Sequence, residues 1–92
     1  MNRKVRYFYV FKGRVQGVGF RWTVMNYAMK HRLTGWISNL DNGDVEMQIQ
    51  GSEPVLDQLL PYVKSRSRML IIDDYVQKQI PLVENEERFD VH

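Results

Sequence analysis

Between residues 5 and 12 the chain alternates strictly. Val5, Tyr7, Tyr9 and Phe11 fall on one face; Arg6, Phe8, Val10 and Lys12 fall on the other. Period two with aromatic enrichment predicts a strand with one wholly apolar face. After a glycine-rich stretch the period becomes helical over residues 20–32. Phe20, Val24, Tyr27, Ala28 and His31 form one stripe, and Trp22, Met25 and Met29 form a second. Both stripes read as packing surface. Gly35 is placed to end this helix. Residues 36–40 read as a short strand, and Asn42-Gly43 is the strongest hairpin signal in the chain. Val45, Met47 and Ile49 then alternate with Glu46, Gln48 and Gln50, the pattern of a half-buried strand. Residues 51–54 break the pattern and open a second helix, with Ser52 as N-cap and Pro54 in the first turn. Val55, Leu56, Leu59, Leu60 and Val63 form its buried stripe. Pro61 lacks a backbone donor and should kink or shorten it. Residues 69–79 read as a strand, 80–87 as a polar connection, and 88–92 as a short final strand.

The order strand, helix, strand, strand, helix, strand predicts an α+β, ferredoxin-like two-layer sandwich. Its sheet is expected to be antiparallel, with both helices on one face and a possible short fifth strand. The 92 residues fit one domain, and 43% hydrophobic content is enough for a two-layer core. There is no cysteine, which removes disulfides and thiolate chemistry. The apolar run at 7–11 is too short for a signal peptide or a membrane span. A soluble cytoplasmic monomer is the expectation. The net charge of +2 hides an asymmetry: the first 40 residues hold eight Lys/Arg and no acid, and the rest hold all eleven acids. A positive half of this kind steers anions.

The candidate chemistry lies in residues 13–21, Gly13-Arg14-Val15-Gln16-Gly17-Val18-Gly19-Phe20-Arg21. Three glycines let main-chain amides converge on one point. A helix starting at Phe20 adds free N–H groups and the positive end of its dipole. Arg21 adds a fork of charged donors. A cation at a helix N-terminus opposes the dipole, so a bound anion explains it better than the fold does. No Gly-Lys-Ser/Thr follows, and the dinucleotide spacing fails at Trp22. Arg14 is placed to assist steering and Gln16 to brace the loop. His31 reads as structural, and Asp73-Asp74 as solvated acids rather than a metal pair.

The 13–21 stretch, together with Gly35-Trp36-Ile37-Ser38-Asn39 and Asn42-Gly43-Asp44-Val45-Glu46, resembles the two signatures of the acylphosphatase family. Asn42 stands where the family commonly has aspartate. Ser65-Arg66-Ser67-Arg68 lacks the Gly-Pro segment common before the fourth strand. The resemblance implies hydrolysis of acyl phosphates to a carboxylate and inorganic phosphate, without metal or cofactor. It implies that the amides of Val15, Gln16, Gly17, Val18, Gly19 and Phe20, with Arg21, hold the phosphoryl group. Arg21 and Asn39 would be catalytic, Asn39 by orienting water. A different reading is a non-catalytic module of this fold that binds phosphate, an acyl phosphate or RNA. RNA would stack on aromatics of the open sheet face, where strand three offers only Glu46, Gln48 and Gln50, so nucleic acid is not expected as a partner.

Overall fold

The computed structural model describes residues 3–92. Strand β1 spans Lys4–Arg14, helix α1 Phe20–Lys30, β2 Thr34–Asn39 and β3 Val45–Ser52. Helices α2 (Glu53–Asp57) and α3 (Leu59–Arg66) lead to β4 (Ile71–Ile80) and β5 (Phe89–Val91). The sheet order is β4-β1-β3-β2-β5. This is a ferredoxin-like α+β sandwich with an added fifth strand.

The apolar faces predicted from the alternation meet in one core. Val5, Tyr9 and Phe11 of β1, Ile37 of β2, and Val45, Met47 and Ile49 of β3 pack with Phe20, Val24, Tyr27 and Ala28 of α1. Leu56, Leu59 and Val63 close the second helical side. The sheet is not wholly antiparallel. β5 runs parallel to β2, with Gly35 beside Phe89. The chain reaches that edge by crossing the open face of the sheet. Arg6, only 2% exposed, bonds Glu86 (2.7 Å), Gln48 (3.0 Å) and Gln50 (3.2 Å). Gln50 also exchanges two hydrogen bonds with Val83. The polar connection at 80–87 is therefore a strap over the face that an RNA-binding sheet would leave open.

Four local features differ from the sequence pattern. Helix α1 ends at Lys30, before Gly35. Arg32 takes the left-handed conformation (φ 57°), and the Leu33 N–H bonds the Ala28 carbonyl at 2.8 Å, which closes a Schellman cap. Gly35 is instead a β2 residue whose Cβ would fall on the Gln48 carbonyl oxygen. The second helix is split at Gln58, and Pro61 sits in the first turn of α3, where its missing N–H costs nothing. Ser52 occupies the N-cap of α2, yet its buried hydroxyl has no partner; the Glu53 N–H bonds the Arg3 carbonyl at 2.9 Å instead. Finally, Trp22 (58% exposed) and Met29 (68%) do not pack, and only Met25 of that stripe joins the core.

Candidate active site

The glycine loop grows out of a defect in β1. The register with β4 shifts between Lys12 and Gly13, and pairing resumes opposite Ile72 and Ile71 up to Arg14, where the strand ends. Buried Val15 and Phe20 then pin the two ends of the loop, with the Phe20 ring edge-on to Phe11 at 5.0 Å. Between them Gly17 (φ 70°) and Gly19 (φ 78°) are exposed and left-handed. A Cβ at either would meet nothing within 4 Å. Glycine is needed there for backbone conformation, not for space. Among the described residues, the amides of 15–22 donate to no protein acceptor. No acidic side chain stands in the first turn of α1 to answer them.

Two side chains hold the loop in this shape. Gln16 Nε2 donates to the Leu40 carbonyl (2.7 Å) and the Asp44 carbonyl (2.8 Å), which ties the loop to the β2–β3 turn. Ser67 Oγ donates to the Val18 carbonyl at 3.3 Å. That turn is itself closed by Asn42, whose Oδ1 accepts the Asp44 N–H at 2.9 Å. Asparagine thus serves the turn as aspartate would.

A cleft of about 220 Å³ opens against the loop, lined by Val15, Gly17, Gly19, Phe20, Arg21, Trp22 and Asn39. Of the residues singled out in the sequence, Gln16 and Val18 share the loop but do not line the cleft. Gln16 faces the turn and Val18 packs against the core. Arg14 is exposed on the β1 side. Arg21 makes one protein hydrogen bond among the described residues, Nη1 to the main-chain oxygen of His92 at 2.5 Å, and pairs with no acidic side chain among them. Its other N–H groups remain for a ligand. Asn39, at the end of β2, carries a buried Oδ1 with no hydrogen-bond partner. An orphaned buried acceptor costs about 1–3 kcal/mol, and few persist without a role. The cleft lining contains no His, Cys, Asp, Glu, Lys or Tyr. The pattern did not reveal the main-chain oxygen of His92, because a main-chain group leaves no mark in a sequence. His92 is fixed by its N–H to the Ile37 carbonyl (2.8 Å) and by stacking on Trp36. Trp22 was visible as the aromatic member of the Trp22-Met25-Met29 stripe, which reads as packing surface.

His31 is the C-cap of α1: its N–H bonds the Tyr27 carbonyl at 3.0 Å and its ring lies 4.3 Å from that of Tyr27. Among the described residues no three potential metal ligands cluster, and no helix is long and apolar enough to cross a membrane.

Fold and cleft together define a ferredoxin-like sandwich that turns its first crossover into a ring of free amides beside a guanidinium and an unsatisfied side-chain amide. The sequence model of the acylphosphatase family matches residues 7–91. An acylphosphatase of Clostridium beijerinckii is 36% identical over 87 residues, 95% of this chain and 97% of that one. The crystal structure of acylphosphatase from Bacillus subtilis superposes with a TM-score of 0.85 at 35% identity, covering 96% of this chain and 98% of that one. An acylphosphatase structure from Coxiella burnetii gives 0.83 at 30% identity, covering 99% and 94%. The chain belongs to the acylphosphatase family, a family of hydrolases.

Proposed function

We propose that this chain hydrolyses the carboxyl–phosphate bond of acyl phosphates, releasing a carboxylate and inorganic phosphate. The observation that carries this reading is the unpartnered Asn39 Oδ1 in the same cleft as Arg21 and the glycine loop. In this reading the amides of Val15, Gln16, Gly17, Val18, Gly19 and Phe20 and the Arg21 guanidinium hold the phosphoryl oxygens. The helix dipole adds to the attraction. Asn39 Oδ1 accepts a hydrogen bond from a water and fixes its lone pair toward phosphorus. The water oxygen forms the new P–O bond while the bond from phosphorus to the carboxyl oxygen breaks, and its electron pair leaves with the carboxylate. The water's proton passes to a phosphoryl oxygen. A carboxylate is the base of an acid with pKa near 4, so it departs without a general acid. Positioning and charge neutralisation supply the acceleration. All these residues come from one chain, so a monomer without cofactor or nucleic acid suffices.

The test is hydrolysis of benzoyl phosphate, with a chelator present, by the wild type and two variants. Arg21→Ala should lower turnover by about 10²–10³-fold, the effect of losing one oxyanion donor. Asn39→Ala should remove most turnover yet keep competitive inhibition by inorganic phosphate, because it acts on water and not on the anion. A folded wild type without turnover would leave only a phosphate-binding module. Near-normal turnover in Arg21→Ala would remove its assigned role.

A further inference from the structure

We propose that Trp22 is the acyl-group platform of this site and gives the enzyme a preference for large apolar or aromatic acyl phosphates. This rests on the reading of the cleft given above and names the part of the substrate which that reading leaves unassigned. Apart from the Trp22 indole, the polar groups of the cleft belong to the phosphoryl end: the loop amides and Arg21 as donors, and Asn39 Oδ1 as the acceptor that holds water. Of the other lining side chains, Val15 and Phe20 are buried and serve as the loop's anchors. Trp22 is the one large apolar lining side chain that is exposed, at 58%.

The fold does not account for a tryptophan there. Trp22 is absent from the core cluster and from the hydrophobic residues packed against it. It makes no aromatic contact among the described residues, whereas Phe11, Tyr27 and Trp36 each make at least one. Its indole N–H makes no protein hydrogen bond among the described residues. A polar residue would serve the exposed side of α1 equally well and would avoid keeping a large ring in water. Trp22 lines the same cleft as Arg21, so a phosphoryl group held by the guanidinium leaves its acyl substituent within the cleft that the ring borders. An apolar acyl group would bury against the indole face, and an aromatic one would gain the additional attraction of ring against ring. A short acyl group such as acetyl would reach little of it.

The experiment compares kcat/KM for benzoyl phosphate and acetyl phosphate in the wild type, Trp22→Ala and Trp22→Phe. Inorganic phosphate inhibition and thermal unfolding are measured alongside. Using each variant's ratio relative to the wild type cancels the intrinsic reactivity of the two compounds. Trp22→Ala should lower kcat/KM for benzoyl phosphate about 5- to 20-fold, and leave acetyl phosphate within about twofold by the same burial argument. Trp22→Phe should restore most of the loss. The phosphate inhibition constant and the unfolding temperature should stay near wild-type values. Equal changes on both substrates, or no change on either, would overturn the platform while leaving the hydrolase reading intact. Absence of turnover on both substrates in the wild type would overturn the hydrolase reading and the platform with it.

Discussion

At the scale of single residues, the glycines divide into two kinds, and the sequence shows only that they are glycines. Gly19 sits at φ 78° with open space where a Cβ would go. Gly35 sits at φ 136° with the Gln48 carbonyl oxygen in that place. The first is a conformational requirement of the glycine loop; the second is a close approach between strands. Gly19→Ala should therefore cost only about 1–2 kcal/mol, the left-handed penalty, while weakening phosphate inhibition, because the loop relaxes and the amides diverge. Gly35→Ala should cost on the order of 3 kcal/mol, because β2 must move away from β3. Urea unfolding gives both stabilities, and phosphate inhibition of the folded fraction separates them. A Gly19→Ala protein that bound phosphate as well as the wild type would remove the loop from the anion site. Arg21 drew attention from its place alone, because a cation at a helix start opposes the dipole. Asn39, at a strand end, was reached only through the family resemblance. The main-chain oxygen of His92 was illegible, since every residue has one.

At the scale of elements, what local periodicity encodes was read correctly and what tertiary contacts impose was not. The strand over 5–12 and the alternation at 45–50 correspond to β1 and β3, because one buried face fixes the period. The end of α1 was misplaced because Arg32 takes a conformation usually left to glycine. The strap at 80–87 looked like an ordinary polar loop. Its purpose depends on Arg6, far away in sequence and assigned there only to the mixed face of β1. The loop itself is an element held by another element, through Gln16 to the turn after β2. That link connects the phosphate amides to the strand that ends in Asn39. Gln16→Ala keeps the amide at position 16 but removes both side-chain bonds. It should lower stability by about 1–2 kcal/mol through the two lost hydrogen bonds; the Leu40 and Asp44 carbonyls keep their backbone partners, the N–H groups of Gly43 and Leu40. It should also lower kcat by at least about tenfold through misplacement of water relative to phosphorus. Gln16→Glu, which cannot donate, should not restore kcat. A Gln16→Ala enzyme with full kcat and reduced stability would show that the brace serves the fold alone.

At the scale of the whole molecule, part of the charge asymmetry of the sequence is spent on internal pairing. Arg3 meets Glu53, Arg6 meets Glu86 and Lys12 meets Asp44, each joining the basic first half to the acidic second. Lys4, Arg14, Arg21, Lys30 and Arg32 stand outside this pairing among the described residues. The buried phenols give the molecule a pH dependence at the alkaline end. Tyr9 is 3% exposed in the core, and burial, with smaller contributions from Tyr7, Tyr75 and Asp57, raises its pKa well above the usual value. Tyr27 is raised too, by burial and then by Tyr62, and its hydroxyl donates to the Val55 carbonyl at 2.7 Å, a bond a phenolate cannot make. In the unfolded chain these phenols ionise near pH 10, and in the native protein they keep their protons beyond that point. The native state then binds more protons than the unfolded state, so stability falls as pH rises through this window and is unaffected below it. The limiting slope is about 1.4 kcal/mol per pH unit for each such tyrosine. Tyr9→Phe should flatten the decline above pH 10 by up to that slope and leave stability below pH 9 changed only by the lost hydroxyl. Urea unfolding at stepped pH from 8 to 12 measures it. Parallel curves for Tyr9→Phe and wild type would mean that the Tyr9 hydroxyl reaches water readily in the native state.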